Sequence, residues 1–457
     1  MVNDIPPELR TINAIFIKAG FEIYLVGGCV RDLFITRPVK DWDFTTNATP
    51  EEILTLFPDG FYDNIFGTVG IPTKIGDETA IVEITTYRTE KDYKNKRHPT
   101  VSWGTSIEED LQRRDFTVNA IALALTDKEG DAVRIVDPFD GQKDLVGKTI
   151  RAVGNPEERF SEDALRLIRA IRLATTLSFT IEDKTLRAIS ATAQDLQQIS
   201  AERVRDEFMK ILASDFAYEG VMLLRNTGLL KYILPELLEG EGISQERPGR
   251  HHKTDVFTHN LLSLKYCPST DPVVRFATLI HDIGKPRVVS TDKEGLVIFH
   301  NHEIEGAKLS YQISERLRFS KKDRQKVVTL VRWHMFTVDE HTTDSAVRRF
   351  IRRVGVENVK DIIDLRIGDR LGSGTETAES WRLKLFKKRI EEQLAPAPFS
   401  INDLAIDGND IMKILKIKPG PQIGELLQKL FEEVDEDLSK NTTEYLTKRI
   451  LSLAKKE

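Results

Sequence analysis

Through its first 150 residues the chain alternates short apolar runs with glycine turns and polar stretches, the pattern of strands interleaved with short helices. Residues 24–26 read as a strand, Gly27 and Gly28 as a tight turn, and the chain from Cys29 or Val30 as a helix opening out of it. A loop and a second strand carrying Asp41 and Asp43 come next. A helix is expected near residues 50–56, with strands at 71–75 (IPTKI) and 80–88 (AIVEITTYR). Residues 89–101 are polar, basic and without periodicity, which reads as a mobile loop. Residues 119–125 form an almost continuous apolar run that belongs in a core, with Arg113, Arg114 and Asp115 at its polar entrance. From about residue 151 apolar positions recur at helical spacing, with Ser161 placed to cap one helix and a second expected over 200–212. Further on, LAPAPF (394–399) reads as a linker and Ser400 as a cap, before two amphipathic helices joined by a Pro-Gly-Pro turn. The expected class is α+β: a mixed-sheet region, residues 1–150, then helical regions at 151–215, 216–394 and 395–457.

At 457 residues, three or four packed units are expected. Hydrophobic residues at 40% beside 30% charged ones describe a globular chain rather than a disordered or membrane one. No apolar run approaches a membrane span, and MVNDIPPELR lacks the regions of a signal peptide. Two cysteines, Cys29 and Cys267, exclude a disulfide framework, so the expected location is the cytoplasm. A net charge of −6 means that RNA binding would need local basic patches. Candidates are 88–97, 348–353 (RRFIRR) and 382–389, each of which also fits a solvated face.

The richest chemistry lies in YLVGGCVRDLFITRPVKDWDFT (24–45). A strand, a glycine turn and a helix start leave backbone N–H groups facing an anion, and glycine lets a phosphate come close. Asp41 and Asp43, two apart on a strand, would share a face. Carboxylates beside a phosphate cradle suit Mg²⁺ on a nucleoside triphosphate. Taken separately, the glycine pair is also an ordinary turn and D-x-D a solvated strand edge. Glu83 is either a third carboxylate for this site or an exposed strand residue. Arg113 and Arg114 can hold triphosphate oxygens, with Asp115 or Asn119 on a ribose hydroxyl; an ion pair capping a core segment has the same sequence. Asp163, Arg166, Arg169 and Arg172 recur every three residues. They form helix ion pairs or they read a base. A carboxylate accepting from an exocyclic amine and a guanidinium donating to a ring nitrogen would admit cytosine and adenine and refuse guanine and uracil.

GGCVRD…DWDF, RRDFTVNA, DPFDGQKDL, SEDALRLIRAIRLA and AERVRDEF, in this order, resemble the class II tRNA nucleotidyltransferases (CCA-adding enzymes) and their bacterial poly(A) polymerase relatives. The resemblance implies a polymerase β-like nucleotidyltransferase head, a helical neck, and helical body and tail domains. It implies catalytic, Mg²⁺-binding Asp41 and Asp43, and a triphosphate site at Gly27, Gly28 and Arg31. Arg113, Arg114, Asp115 and Asn119 would serve ribose and triphosphate. Asp163 and Arg166, with Arg169 beside them, would be a protein template for C and A. Residues 89–101 resemble the family's flexible element tied to the switch from CTP to ATP. The stretch NIFGTVGIPTKIGDET lacks the paired arginines of poly(A) polymerases, which favours CCA addition with poly(A) synthesis as the alternative. The last helices resemble a tail that contacts the outer corner of tRNA; core packing accounts for them equally well.

Eight of the nine histidines lie between positions 251 and 341. His259, His281 and Asp282 in TLIHDIGKPR, and Asp369 in IGDR resemble the HD phosphohydrolase superfamily, with His302 and His334 as extra ligands. Imidazoles with carboxylates suit Mn²⁺, Ni²⁺ or Co²⁺ better than Mg²⁺. The implied reaction is hydrolysis of a phosphoester at an RNA 3′ end. The expectation for the whole chain is therefore an enzyme acting on the tRNA 3′ end and the acceptor and elbow regions with CTP and ATP. A phosphohydrolase with an inactive head and a non-catalytic RNA-binding protein are the other classes, and oligomeric state is not legible.

Overall fold

The computed structural model describes residues 5–62, 67–91, 100–104, 106–125, 133–246, 254–336, 342–394 and 400–454. The Pro-rich linker reading at 395–399 and the centre of the polar stretch at 92–99 lie outside them. The chain divides into two compact units: Met1–Leu238 with Arg316–Phe319, and Glu239–Glu315 with Ser320–Glu457.

In the first unit the strands are β1 (Ile23–Val26), β2 (Asp43–Thr46), β3 (Phe61–Tyr62), β4 (Thr68–Ile75), β5 (Glu78–Thr86), β6 (Arg88–Lys91), β7 (Thr100–Trp103), β8 (Ala122–Ala124) and β9 (Arg134–Val136). Seven of them form one mixed sheet in the order β3-β4-β5-β2-β1-β8-β9. β1 lies antiparallel between β2 and β8, and β2 runs parallel to β5 with Asp43 opposite Glu83. Central β1 is buried throughout, as its unbroken apolar run requires.

The helices around this sheet are α1 (Pro7–Lys18), α2 (Gly28–Phe34), α3 (Pro50–Leu56), α4 (Ile107–Gln112) and α5 (Gly141–Val146). Thr49 and Glu52 close a capping box on α3. Asp137 accepts from the N–H groups of Gly141 (2.7 Å) and Gln142 (2.9 Å), so that this part of DPFDGQKDL starts α5. The helical continuation holds α6 (Pro156–Glu162), α7 (Leu165–Leu177), α8 (Asp183–Thr192) and α9 (Ala201–Leu212).

Four local readings change. Asp41 precedes β2 instead of lying on it. The ends of the stretch expected as a loop, β6 and β7, pair antiparallel with Arg88 opposite Trp103. Ser161 donates back to the Glu158 carbonyl (2.8 Å) and caps nothing downstream. Asn155 caps α6 instead, and Asp163 stands in extended conformation at a break, where its Oδ1 accepts from the Leu165 N–H (3.0 Å) at the start of α7.

The second unit is almost entirely helical. Phe336, Phe350 and Phe386 pack ring to ring at 4.9–5.5 Å. The helices Gly408–Leu415 and Pro421–Glu436 bury Ile411, Leu430 and Val434, as their amphipathic pattern predicts. Ser400 caps a single 3₁₀ turn with Asp403. The RRFIRR patch is partly turned inward. Arg348 donates through Nε to Asp435 Oδ1 (2.8 Å) and Arg352 to Asp435 Oδ2 (2.6 Å), while Asp435 is 2% exposed.

Burial alone would raise the Asp435 carboxyl, but the Arg352 and Arg348 guanidiniums outweigh it and hold the group below its ordinary range. A folded-state pKa below the unfolded one stabilises above the unfolded value and is lost as pH falls through the folded one. Asp435→Asn should therefore destabilise the second unit by about 3 kcal/mol at neutral pH, leaving Arg348 buried without its charge partner. The gap in unfolding midpoint from the wild type should narrow below about pH 4, as thermal melts across pH would read.

Candidate active site

One cleft of about 390 Å³ in the first unit is lined by residues from three of the five motifs. Gly27 has φ +78° and ψ −137°, and a Cβ there would stand 3.1 Å from Arg114 Nη1 and 3.6 Å from Asp43 Oδ2. Glycine is required by the conformation, while a Cβ would press only on the end of the Arg114 side chain and meet Asp43 at ordinary contact distance. Asp43 at the start of β2 and Glu83 on β5 line the cleft side by side. Burial first, then the negative charge of Glu83, pushes the Asp43 carboxyl up to about 6, with Arg114 pulling down and Asp41 pushing up. A cluster of oxygen donors carrying more negative charge than its neighbours offset fits a hard divalent cation.

The arginines are held in place by fixed partners. Arg113 and Arg114 share Asp110, whose side chain is fully buried, at 2.6 and 3.0 Å. Both arginines line the cleft and are also ion-paired, Asp110 taking one edge of each guanidinium. Asp115 accepts from Arg169 (2.8 Å at Nε), from Asn119 (3.2 Å) and from the Phe116 N–H (2.9 Å). Burial would raise its carboxyl, but Arg169 and the bonds around it bring it down to about 2. Arg31 donates to Asn119 Oδ1 (2.9 Å), which joins α2 to this network.

Asp163 and Arg166 line the same cleft. Arg166 Nη1 donates to Glu162 (2.5 Å) and to the Arg159 carbonyl (2.9 Å), and Nη2 to the Arg113 carbonyl (3.0 Å). Asp163 Oδ2 accepts from Arg203 on α9 at 2.9 Å. Thr68, Thr85 and Arg88, which no sequence motif singles out, also line the cleft.

Asp41 does not line this cleft. It lies with Asp43, Gly28 and Arg31 in an adjoining one of about 600 Å³, lined also by the cations Arg37, Lys40, Arg172 and Lys210. Asp43 belongs to both. Arg172 was legible as the last member of the arginine stripe, and Lys40 as a neighbour of Asp41. Lys210 had no signal, since only the packing of α9 on α7, with Arg172 paired to buried Glu207, brings it there.

In the second unit the histidine reading has a compact counterpart. His259, His281, Asp282, His302, His334 and Asp369 come from five helices or helix ends, and all are buried. Gly368 lets two helices touch, since a Cβ there would meet the Ser263 carbonyl at 2.5 Å, and this seats Asp369 beside His259 at 3.3 Å. Asp282 lies 3.3 Å from His259 and, through its other oxygen, 3.3 Å from His302 and 3.5 Å from His334. The Nδ1 atoms of His281, His302 and His334 lie 2.7–2.8 Å from backbone carbonyls, so Nδ1–H donates and each Nε2 is turned into the cluster. Facing Nε2 pairs, 3.2 Å for His259 with His281 and 3.3 Å for His302 with His334, fit a cation shared between lone pairs. Burial would lower the His281 imidazole, but Asp282 and Asp369 carry it up to about 10, and both carboxylates lie well below their usual range.

Residues 23–151 match the profile of the poly(A) polymerase head domain, 178–240 that of the RNA and SrmB-binding site of polymerase A, and 299–450 that of a tRNA nucleotidyltransferase domain 2. The A-adding tRNA nucleotidyltransferase of Deinococcus radiodurans is 35% identical over 428 residues, 89% of this chain and 90% of that protein. The chain belongs to the tRNA nucleotidyltransferase family. A CCA-adding enzyme from Enterococcus faecalis is 32% identical over 462 residues, 99% of this chain and 95% of its own length. The crystal structure of the Bacillus stearothermophilus CCA-adding enzyme in complex with CTP shares the fold, with a TM-score of 0.73 over 99% of both chains at 24% identity. As a member of this family the chain is a nucleotidyltransferase, and among the described residues no helix is long and apolar enough to cross a membrane.

The pairing of Asp43 with Glu83 makes a measurable claim. In metal-free protein Glu83→Gln removes the second-largest cause of the raised carboxyl, so the Asp43 pKa should fall below about 6, read by carboxyl-carbon NMR. An unmoved value would mean that the two carboxylates do not share a site.

Proposed function

We propose that the protein rebuilds the 3′ CCA end of tRNA from CTP and ATP without a nucleic-acid template. The observation that carries this reading is the single cleft lined both by Asp43 and Glu83 and by Asp163 and Arg166, so that metal binding and base choice act on one nucleotide. Asp41 and Asp43, with Glu83, would hold Mg²⁺ ions, which when bound lower the pKa of the primer 3′-OH and neutralise the leaving pyrophosphate. Arg113 and Arg114 present their remaining N–H groups to the triphosphate, and the backbone at Gly27 and Gly28 meets it closely. Asp115 and Asn119 orient the ribose hydroxyls. Arg37, Lys40, Arg172 and Lys210 give the adjoining cleft the positive charge that a pyrophosphate needs. Asp163 accepts from the amine of cytosine or adenine while Arg166 donates to the neighbouring ring nitrogen. RNA would be gripped by backbone and shape, with the tail helices on the outer corner of tRNA, because one enzyme must accept every tRNA. Solved CCA-adding enzymes of this fold include complexes with ATP and with tRNA, which supports these partners. The cytoplasm is the site of action that this reading requires.

Two narrower readings have observations of their own. The Deinococcus relative is an A-adding enzyme, which favours a protein that adds only the last nucleotide. The histidine cluster favours a second activity, hydrolysis of a 2′,3′-cyclic, 2′- or 3′-phosphate on the tRNA terminus, with His259, His281, Asp282 and Asp369 holding Mn²⁺, Ni²⁺ or Co²⁺ and His302 and His334 beside them. Such an ion supplies a water acidic enough to attack a phosphoester.

Purified protein is incubated with Mg²⁺, CTP and ATP on tRNAs ending before C, after C and after CC. Addition of C, C and A to the first is expected. Extension only of the third would replace this reading by A addition, a long A ladder would mean poly(A) synthesis, and no extension would sink all three. Asp43→Ala should lower extension by roughly a thousandfold and spare Mn²⁺- or Ni²⁺-dependent hydrolysis of a 2′,3′-cyclic phosphate. His281→Ala should do the reverse, and loss of both activities in either folded variant would refute two separate sites.

A further inference from the structure

Base selection by Asp163 needs more than a carboxylate in the cleft, because an acceptor helps discrimination only while it points at the position of the amine. Asp163 lies at the break between α6 and α7, in extended backbone that neither helix holds. One oxygen is committed to the helix, with Oδ1 accepting from the Leu165 N–H at 3.0 Å. That bond alone leaves the carboxylate plane free to turn about it. The second oxygen is met from another element, Arg203 Nη2 in the first turn of α9, at 2.9 Å. The Arg203 side chain is 53% exposed and that of Asp163 32%. As an ion pair at that exposure it contributes little to stability, yet the two anchors together fix the carboxylate plane. A carboxylate has about four acceptor positions, so both anchors leave acceptor capacity on a side chain that lines the cleft. Arg166 is held in the same manner from Glu162 and two carbonyls, so both base-reading groups are tied from behind.

We infer that Arg203 is a positioning residue for nucleotide choice, holding Asp163 in the orientation that accepts an amine and excludes a carbonyl edge. This rests on the reading of Asp163 as part of the base template. Arg203 does not touch the nucleotide. It acts through Asp163, and the packing of α9 against α7 sets its reach.

Single-nucleotide incorporation of CTP, UTP and GTP is measured on tRNA ending before C, and of ATP, UTP and GTP on tRNA ending after CC, with the full-length protein, Arg203→Met, Arg203→Lys, Asp163→Ala, the double variant Asp163→Ala/Arg203→Met, and Arg205→Met as a control on the same helix. Arg203→Met should raise KM for CTP and ATP roughly tenfold, with kcat changed much less, and lower the preference for CTP over UTP by a similar factor. Arg203→Lys should recover most of the preference, and Arg205→Met should behave as the wild type. In the Asp163→Ala background the further change Arg203→Met should have no added effect. If Asp163→Ala relaxes selectivity while Arg203→Met does not, the role of Arg203 is overturned and the template reading stands. If neither variant alters selectivity, the template reading fails and takes this one with it. A uniform loss across all four nucleotides, with a lowered melting temperature and no rescue by lysine, would make Arg203 merely structural and also overturn the inference.

Discussion

Asp43 and Glu83 lie opposite each other on parallel strands, and their mutual repulsion in a half-buried cleft is the constraint around which the first unit is arranged. Two like charges so placed cost stability unless a cation or arginines offset them. Arg114 supplies part of that offset, while its own orientation is held by Asp110. The Gly27 turn admits the backbone to within reach of both groups. Such a conflict between like charges suits a positively charged ligand and the phosphates it carries.

The same logic of fixed partners recurs through the cleft. Arg31, Arg113, Arg114, Arg166 and Arg169 are each held by protein acceptors, three of them in the case of Arg166, and each keeps a donor over. Such guanidiniums lose little rotamer freedom when a ligand arrives, which is what makes a charged site selective in geometry as well as in sign. Asp115 is the hub of that arrangement, joining Arg169 on α7 to Asn119 and, through it, to Arg31 on α2.

The second unit answers the same problem with different chemistry. Its buried carboxylates, Asp282 and Asp369, are surrounded by imidazoles, of which His281, His302 and His334 have their outer nitrogens engaged by backbone carbonyls. The donor set, imidazoles with carboxylates, is softer than the carboxylate set of the head. Elsewhere in this unit Asp435 shows a purely structural use of buried charge, drawing in arginines that the sequence presents as a basic patch.

The sequence by itself determined the ordered motifs, the glycine turn, the D-x-D pair and the arginine stripe, because each rests on residue type and short spacing, and it showed the concentration of histidines. Helix and strand positions near the glycine turn and in the tail came from periodicity for the same reason. The tertiary structure alone decided which of these groups meet. It separated Asp41 from the cleft that Asp43 shares with Asp163, brought Lys210 beside Asp41, gave Asp163 an anchor on α9, and turned Arg348 and Arg352 onto Asp435. It also broke the expected helix at Asp163, where the carboxylate itself caps α7. Such contacts join residues far apart in the chain, and local periodicity carries no information about which distant element will supply the partner of a charge.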